Sequence, residues 1–151
     1  MSGQISRETL IRWAPLLVLV ALVAVFTAIN PNFLSLRNMG RIAIAAMAAG
    51  VIKRCLDDSL AYAQERTAFG RAIGTYQAVA FQIADLQVAL EAAQALVYRA
   101  AWLRDQGQPF KREAAIAKLY ATEAAVSATR TATQVFGGAG FMDETAVARH
   151  Y

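Results

Sequence analysis

KREAAIAKLYATEAAVSATRTATQVF, residues 111–136, is the stretch that decides the fold. Within it Ala115, Leu119, Thr122, Val126, Thr129, Thr133 and Phe136 recur at alternating spacings of four and three. A strand would alternate at every second residue, whereas this spacing returns to one face of a 3.6-residue helix. The regularity predicts a long helix packed against antiparallel neighbours. Gly137, Gly138 and Gly140 follow, and glycine just past the last turn is a common helix stop.

Upstream, Gly107-Gln108-Pro109 breaks the chain in the same way, Gly past the end and Pro close behind. It closes a second helix over about residues 76–106, where Phe81, Val88, Ala92, Ala95, Trp102 and Leu103 fall at threes, fours and sevens, as one buried face requires. Tyr98, Trp102 and Phe136 are read as core. A first helix, rich in Ala and Ile, runs from about 39 to 65 and ends near 67–74. Asp143-Glu144 reads as the start of a fourth helix, after which the sequence soon stops. The expected fold is all-α: an antiparallel, up-down helical bundle, incomplete at its C-terminus with an apolar groove left open. A hydrophobic N-terminal helix precedes it.

That helix comes from residues 13–29, WAPLLVLVALVAVFTAI, which open at Trp13, close at Ile29 and carry no charge. Seventeen helical residues rise about 25 Å, the short limit for a hydrocarbon core of roughly 30 Å. Apolar residues surround the helix, which disfavours an amphipathic surface helix. Asn30-Pro31-Asn32 ends it. A membrane span is the favoured reading, with a buried core helix or a secretory signal as alternatives. The domain expectation is a transmembrane-like segment at 1–38 and a helical bundle at 39–151.

The apolar fraction, 57%, exceeds the roughly 45–50% of soluble domains, and much of the excess lies in that one block. Net charge is +4, with Lys and Arg scattered, so nucleic acid is not an expected partner. Cys55 is the single cysteine and His150 the single histidine. An intrachain disulfide is excluded, and a multi-cysteine or histidine-rich metal centre or a Ser-His-Asp triad is not expected. Cys55 sits inside a helical pattern and is read as an inert packing residue.

Several ordered motifs carry more. They are Arg41-Ile42-x-Ile44-Ala45-Ala46, Tyr62-Ala63-x-Glu65-Arg66-x-Ala68-Phe69-Gly70-Arg71, Gln77 with Phe81-Gln82-x-Ala84-Asp85, Tyr98-Arg99-Ala100-Ala101-Trp102, Ala117-Lys118-Leu119-Tyr120-Ala121, and Gln134-x-x-Gly137-Gly138-x-Gly140-Phe141. Over residues 39–151 the sequence resembles the C-terminal helical domain of the acyl-CoA dehydrogenases. That resemblance implies FAD as cofactor and an acyl-CoA thioester as substrate, which loses two hydrogens from its α and β carbons. It places Arg66 and Phe69 against the FAD of a neighbouring subunit, hence a homo-oligomer through the bundle. Gln77 would hydrogen-bond the cofactor, and Gln134, Gly137 and Gly138 would admit the dinucleotide against bare backbone. Arg41 matches a position near the acyl-CoA.

No catalytic residue is assigned. In most of that family the catalytic glutamate lies in a Tyr-Glu-Gly-Thr-like motif beyond an Arg-x-Tyr-Arg-Asp segment, and the sequence here reaches Arg149-His150-Tyr151. Some members carry the base just before the arginine matching Arg41, where Gly40 stands. Glu65, Glu91, Glu123 and Glu144 are read as solvated charges. Catalysis by this chain alone is not expected.

The first 38 residues resemble instead the first transmembrane helix of ribose-type ABC sugar-transporter permeases, through Ala14-Pro15-Leu16-Leu17 and Asn30-Pro31-Asn32-Phe33-Leu34-Ser35-Leu36-Arg37-Asn38. That resemblance implies a cytoplasmic N-terminus. Charge points the other way, with Arg37, Arg41, Lys53 and Arg54 after the span and Arg7 and Arg12 before it. The expectation is a cytoplasmic-membrane-associated protein with its bundle on the cytoplasmic side, the alternative being cytoplasmic. A membrane-anchored structural or interaction protein, or a non-functional fusion, is the alternative to a flavoenzyme domain.

Overall fold

A computed structural model describes residues 36–150, with the helical positions 18, 20–22 and 25. Contacts divide the chain into Met1–Ser35 and Leu36–Tyr151. The second unit holds three long helices, α1 (Leu36–Glu65), α2 (Gln77–Asp105) and α3 (Lys111–Phe136). Between α1 and α2 lie a two-stranded antiparallel ribbon, β1 (Thr67–Ala68) and β2 (Arg71–Ala72), and a 3-10 turn, Ile73–Thr75. Two further 3-10 turns follow α3, at Gly137–Phe141 and Ala146–Arg149.

The ribbon reverses the chain through Phe69 (φ 51°) and Gly70 (φ 84°), a pair of positive-φ residues of the kind that matches strand twist in a two-residue hairpin. Tyr76 braces it, donating its hydroxyl to the Ala68 carbonyl at 2.9 Å while the Arg71 guanidinium lies 4.1 Å from its ring centroid. After α2, Gly107 (φ 67°) takes the left-handed position. The Gln108 N–H reaches the Leu103 carbonyl and the Gly107 N–H the Arg104 carbonyl, the paired bonds of a Schellman stop. Pro109 then prevents any continuation.

Two contacts orient the helices. Ile42 near the start of α1 packs with Ala100 and Leu103 at the end of α2 and with Ala114 at the start of α3. At the other end the rings of Tyr62 and Phe136 stack at 4.1 Å, 13° from parallel. Thus α1 and α3 run the same way and α2 runs against both. The α1–α3 seam is built from small residues: Ala45, Ala48, Ala49 and Cys55 meet Ala117, Ala121, Ala125, Ala128 and Ala132. Ile52, Leu56, Leu86 and Leu90 supply the larger side chains.

The buried faces differ from those expected. On α2 the core residues are Leu86, Leu90, Ala93 and Ala100, whereas Phe81, Val88, Tyr98 and Trp102 are exposed. On α3, Ala114, Ala117, Ala121, Ala125, Ala128 and Ala132 face inward, and Leu119 and Val126 face out. Only the far half of the expected α3 stripe, Thr129 and Thr133, is buried, with Phe136 half-buried beside them. On α3 the reason is close approach: alanine lets the α1 and α3 axes come near, and a seam of that kind has no room for Val126. The expected helix at Asp143-Glu144 is a short 3-10 turn beginning later, at Ala146.

The membrane expectation is corrected as well. Helix α1 is about 45 Å long, but Arg41, Lys53, Arg54, Asp57, Asp58 and Glu65 are spread along it. Among the described residues no helix is long and apolar enough to cross a membrane. This overturns the membrane-associated location with a bundle on the cytoplasmic side. The expected span at 13–29 lies outside the described residues except for Val18, Val20, Ala21, Leu22 and Val25, which are helical and exposed.

Candidate cofactor-contacting site

The Tyr62–Phe136 stack brings the ends of α1 and α3 together and therefore decides what lies next to what. Four residues beyond Tyr62, the Arg66 N–H still bonds the Tyr62 carbonyl at 2.8 Å, so Arg66 extends the last turn of α1. Its own carbonyl accepts from the Ile73 N–H at 2.8 Å, which folds the ribbon's return against the helix end. One residue beyond Phe136, α3 stops at Gly137. Tyr62, Arg66, Ile73, Phe136, Gly137 and Gly138 consequently line one cavity of about 400 Å³.

The three glycines after α3 have different causes. Gly137 has φ 58° and ψ −134°, a backbone conformation that a side chain strongly disfavours. Gly140 is buried, and a Cβ there would lie 2.6 Å from the Thr133 carbonyl oxygen, so it is required for the turn to close on α3. Gly138 has neither constraint: its φ is ordinary and nothing lies within 4 Å of an added Cβ. The chain's own fold gives no reason for glycine at 138, and the exposed backbone there is open to a visitor.

The remaining expected residues divide. Gln134 is one turn before Gly137 on α3 and lines, with it, a second cavity of about 610 Å³. Gln77 is the exposed first residue of α2, and Phe69 stands at the ribbon tip, 97% exposed; neither lines either cavity. Arg41 is elsewhere. Twenty-five residues before Arg66 on the same helix, it sits about 37 Å away along the axis. There it donates to Asn38 Oδ1 at 3.0 Å and lines a cavity with Lys111, Arg112 and Glu113. So Arg66, Gly137 and Gly138 meet, Gln134 adjoins them, Phe69 and Gln77 point outward from the same end, and Arg41 marks the opposite end.

Sequence reasoning passed over Tyr62 and Asp143 as site residues, reading Asp143 only as a helix start, and Arg130 altogether. Arg130, Gln134 and Gly137 stand at i, i+4 and i+7, one row on α3, and that spacing was the available signal. Charge is open at this end: among the described residues neither Arg66 nor Arg130 forms an ion pair. The negative end of the α3 dipole also lies here, so cations are the favourable neighbours. Burial pushes the Cys55 thiol up to about 11, with Asp58 adding to the effect, so this fully buried group is neutral and inert near pH 7.

Comparison with known proteins gives a consistent picture. The family described as acyl-CoA dehydrogenase, C-terminal domain, matches residues 33–151. The short-chain specific acyl-CoA dehydrogenase, mitochondrial, of Bos taurus is 46% identical over 114 residues, 76% of this chain and 28% of that protein. Butyryl-CoA dehydrogenase from Megasphaera elsdenii superposes with a TM-score of 0.74 at 42% identity, covering 75% of this chain and 30% of that one. PigA, solved with FAD and proline, gives a TM-score of 0.74 at 36% identity, covering 78% and 31%. The chain thus spans about 30% of the length of the relatives it matches. The permease resemblance of the first 38 residues gains no support from these matches. Nor does a cytoplasmic-membrane location, since the bovine relative is named as mitochondrial.

Proposed function

Since the chain belongs to the acyl-CoA dehydrogenase family, over that family's C-terminal helical domain, we propose that it forms the FAD-facing helical part of an oxidoreductase acting on acyl-CoA. The observation that carries this reading is the meeting of Arg66, from the end of α1, with Gly137 and Gly138, from the end of α3, around one cavity. An unpaired guanidinium offers paired N–H donors to phosphate oxygens. The bare backbone at Gly138, needed by neither φ nor packing, fits close approach of a dinucleotide. When bound, FAD supplies the acceptor for the hydride that leaves the β carbon of the acyl thioester.

The chain's own residues then bind and orient. Arg66 neutralises phosphate charge, and Gln134 offers an amide donor and acceptor one turn away. Phe69 and Gln77, outward from the same end, suit contact with a cofactor held mainly by a second copy of the chain. A homo-oligomer through the bundle also suits the exposed row Phe81, Val88, Tyr98 and Trp102 on α2. At the far end Arg41, with Lys111 and Arg112 in the same cavity, supports contact with the anionic acyl-CoA.

Titration of the purified chain with FAD, followed by flavin fluorescence, tests this reading. Binding should be measurable, and Arg66→Gln should weaken it roughly tenfold, the loss of one charge-assisted contact. Absence of FAD binding, or indifference to Arg66→Gln, contradicts it. With acyl-CoA, added FAD and an artificial acceptor, these 151 residues alone should give no substrate-dependent turnover; sustained turnover would refute the view that they bind without catalysing.

A further inference from the structure

Outside both cavities, one polar contact ties the end of the described chain back to α1. His150 Nε2 stands 3.1 Å from Asp58 Oδ2, and the same oxygen accepts from Arg54 Nε at 2.9 Å, one turn away on α1. The side chains of His150 and Asp58 are only 22% and 16% exposed. The two residues are 92 positions apart, whereas every other hydrogen bond between side chains among the described residues spans four positions or fewer. An ionised carboxylate only accepts, so the imidazole donates to it through Nε2.

From His150 the bonds lead back to the cavity walls. Arg149 Nη1 donates to the Asp143 carbonyl at 3.0 Å, and the Thr145 hydroxyl lies 2.9 Å from the carbonyl oxygens of both Ala139 and Met142. Ala139 lines the Arg66 cavity, while Asp143 and Ala148 line the larger one. Val147 is fully buried in the core, but an apolar contact has no direction and leaves the turn free to rotate about it. A charge-assisted hydrogen bond is directional and removes that freedom. Asp58 precedes Arg66 by eight residues, about 12 Å along α1. The contact therefore joins residues 142–150 to the helix that leads into Arg66, at a second point besides the Tyr62–Phe136 stack.

We propose that Asp58 and His150 are positioning residues: their clasp holds residues 142–150 on α1 and thereby fixes the Ala139 backbone wall of the Arg66 cavity relative to the Arg66 guanidinium. The consequence for cofactor affinity rests on the reading above, whereas the clasp itself does not. Neither residue lines the Arg66 cavity or its larger neighbour, so each acts through the backbone it holds.

Hydrogen exchange of the full chain without ligand, followed by mass spectrometry, tests the clasp, and flavin fluorescence tests its consequence. His150→Ala should speed exchange across residues 139–149 by about tenfold and weaken FAD binding by about threefold to tenfold. His150→Gln, whose amide nitrogen reaches close to the place of Nε2, should bring both back to within about twofold of wild type. Asp58→Ala should match His150→Ala, and the double variant should lose no more than either single one. Should an alanine variant fail to fold, Asp58→Asn, which keeps the shape and removes the charge, takes its place with the same direction of change. Unchanged exchange in folded variants, no rescue by glutamine, or additive losses in the double variant overturns the clasp. Faster exchange with FAD affinity still within about twofold of wild type, while Arg66→Gln lowers it, overturns the positioning role and leaves the cofactor reading intact. If the wild-type chain binds no FAD, the cofactor reading and the positioning role fall, and exchange alone decides the clasp.

Discussion

The α1–α3 seam and the outer face of α2 are built from opposite materials. Inside, α3 presents Ala114, Ala117, Ala121, Ala125, Ala128 and Ala132 to its neighbours, and α1 answers with Ala45, Ala48 and Ala49. Outside, α2 displays Phe81, Val88, Tyr98 and Trp102, with Val88 66% and Trp102 57% exposed. Large apolar side chains are ordinarily the ones buried. On the α1–α3 seam the small ones are buried because they let the two helices approach closely, while Ile52, Leu56, Leu86 and Leu90 fill the rest of the core and the large side chains on the far face of α2 stay exposed. Size alone therefore does not identify the core; the inward face of α3 is recognised by its unbroken alanine spacing.

The contrast can be broken most forcefully from the inside. Ala121 is fully buried on the α3 seam, so Ala121→Leu should cost about 1–3 kcal/mol by overpacking. Thermal or urea unfolding measures it, and an unchanged midpoint would mean the seam is looser than described. From the outside the same instrument should read almost nothing. Trp102→Ser and Phe81→Ser should shift stability by less than about 0.5 kcal/mol each, yet lower the apparent mass in light scattering, because they remove apolar surface available to a second copy. Stability losses matching that of Ala121→Leu would place these residues in the core after all. The smallest effect concerns Cys55. With its thiol raised to about 11 by burial, it should resist thiol reagents at pH 8 until the chain unfolds. A buried thiol that stays protonated favours the folded state below the ordinary thiol value of about 8.5. That contribution fades as pH rises from there toward about 11. Rapid labelling of the folded chain would show that the inward face opens.

Much of the helical framework was legible because its stops are local chemistry. The expected third helix, 111–136, has the observed bounds, and Gly107-Gln108-Pro109 forms the predicted stop through backbone bonds that only its immediate neighbours set. The facing of the helices was not legible. On α2 both Phe81-Val88-Trp102 and Leu86-Leu90-Ala93-Ala100 satisfy helical spacing, and choosing between them requires knowing which side of α2 meets α1 and α3. The site was legible in part for a similar reason. Arg66 and Gly138 stand 72 positions apart and meet only through the Tyr62–Phe136 stack, a tertiary contact that the motif order implied without showing. Arg130 escaped notice because its row with Gln134 and Gly137 becomes a site only when the second cavity is seen.

Gly138 supports the most direct measurement. Its backbone is unstrained and the space around it is open, so Gly138→Val should melt close to the wild-type temperature. If this end of the bundle receives the dinucleotide against bare backbone, FAD affinity, read by quenching of flavin fluorescence, should fall by about tenfold or more in that variant. Equal FAD affinity in wild type and in a fully folded Gly138→Val chain would contradict the account.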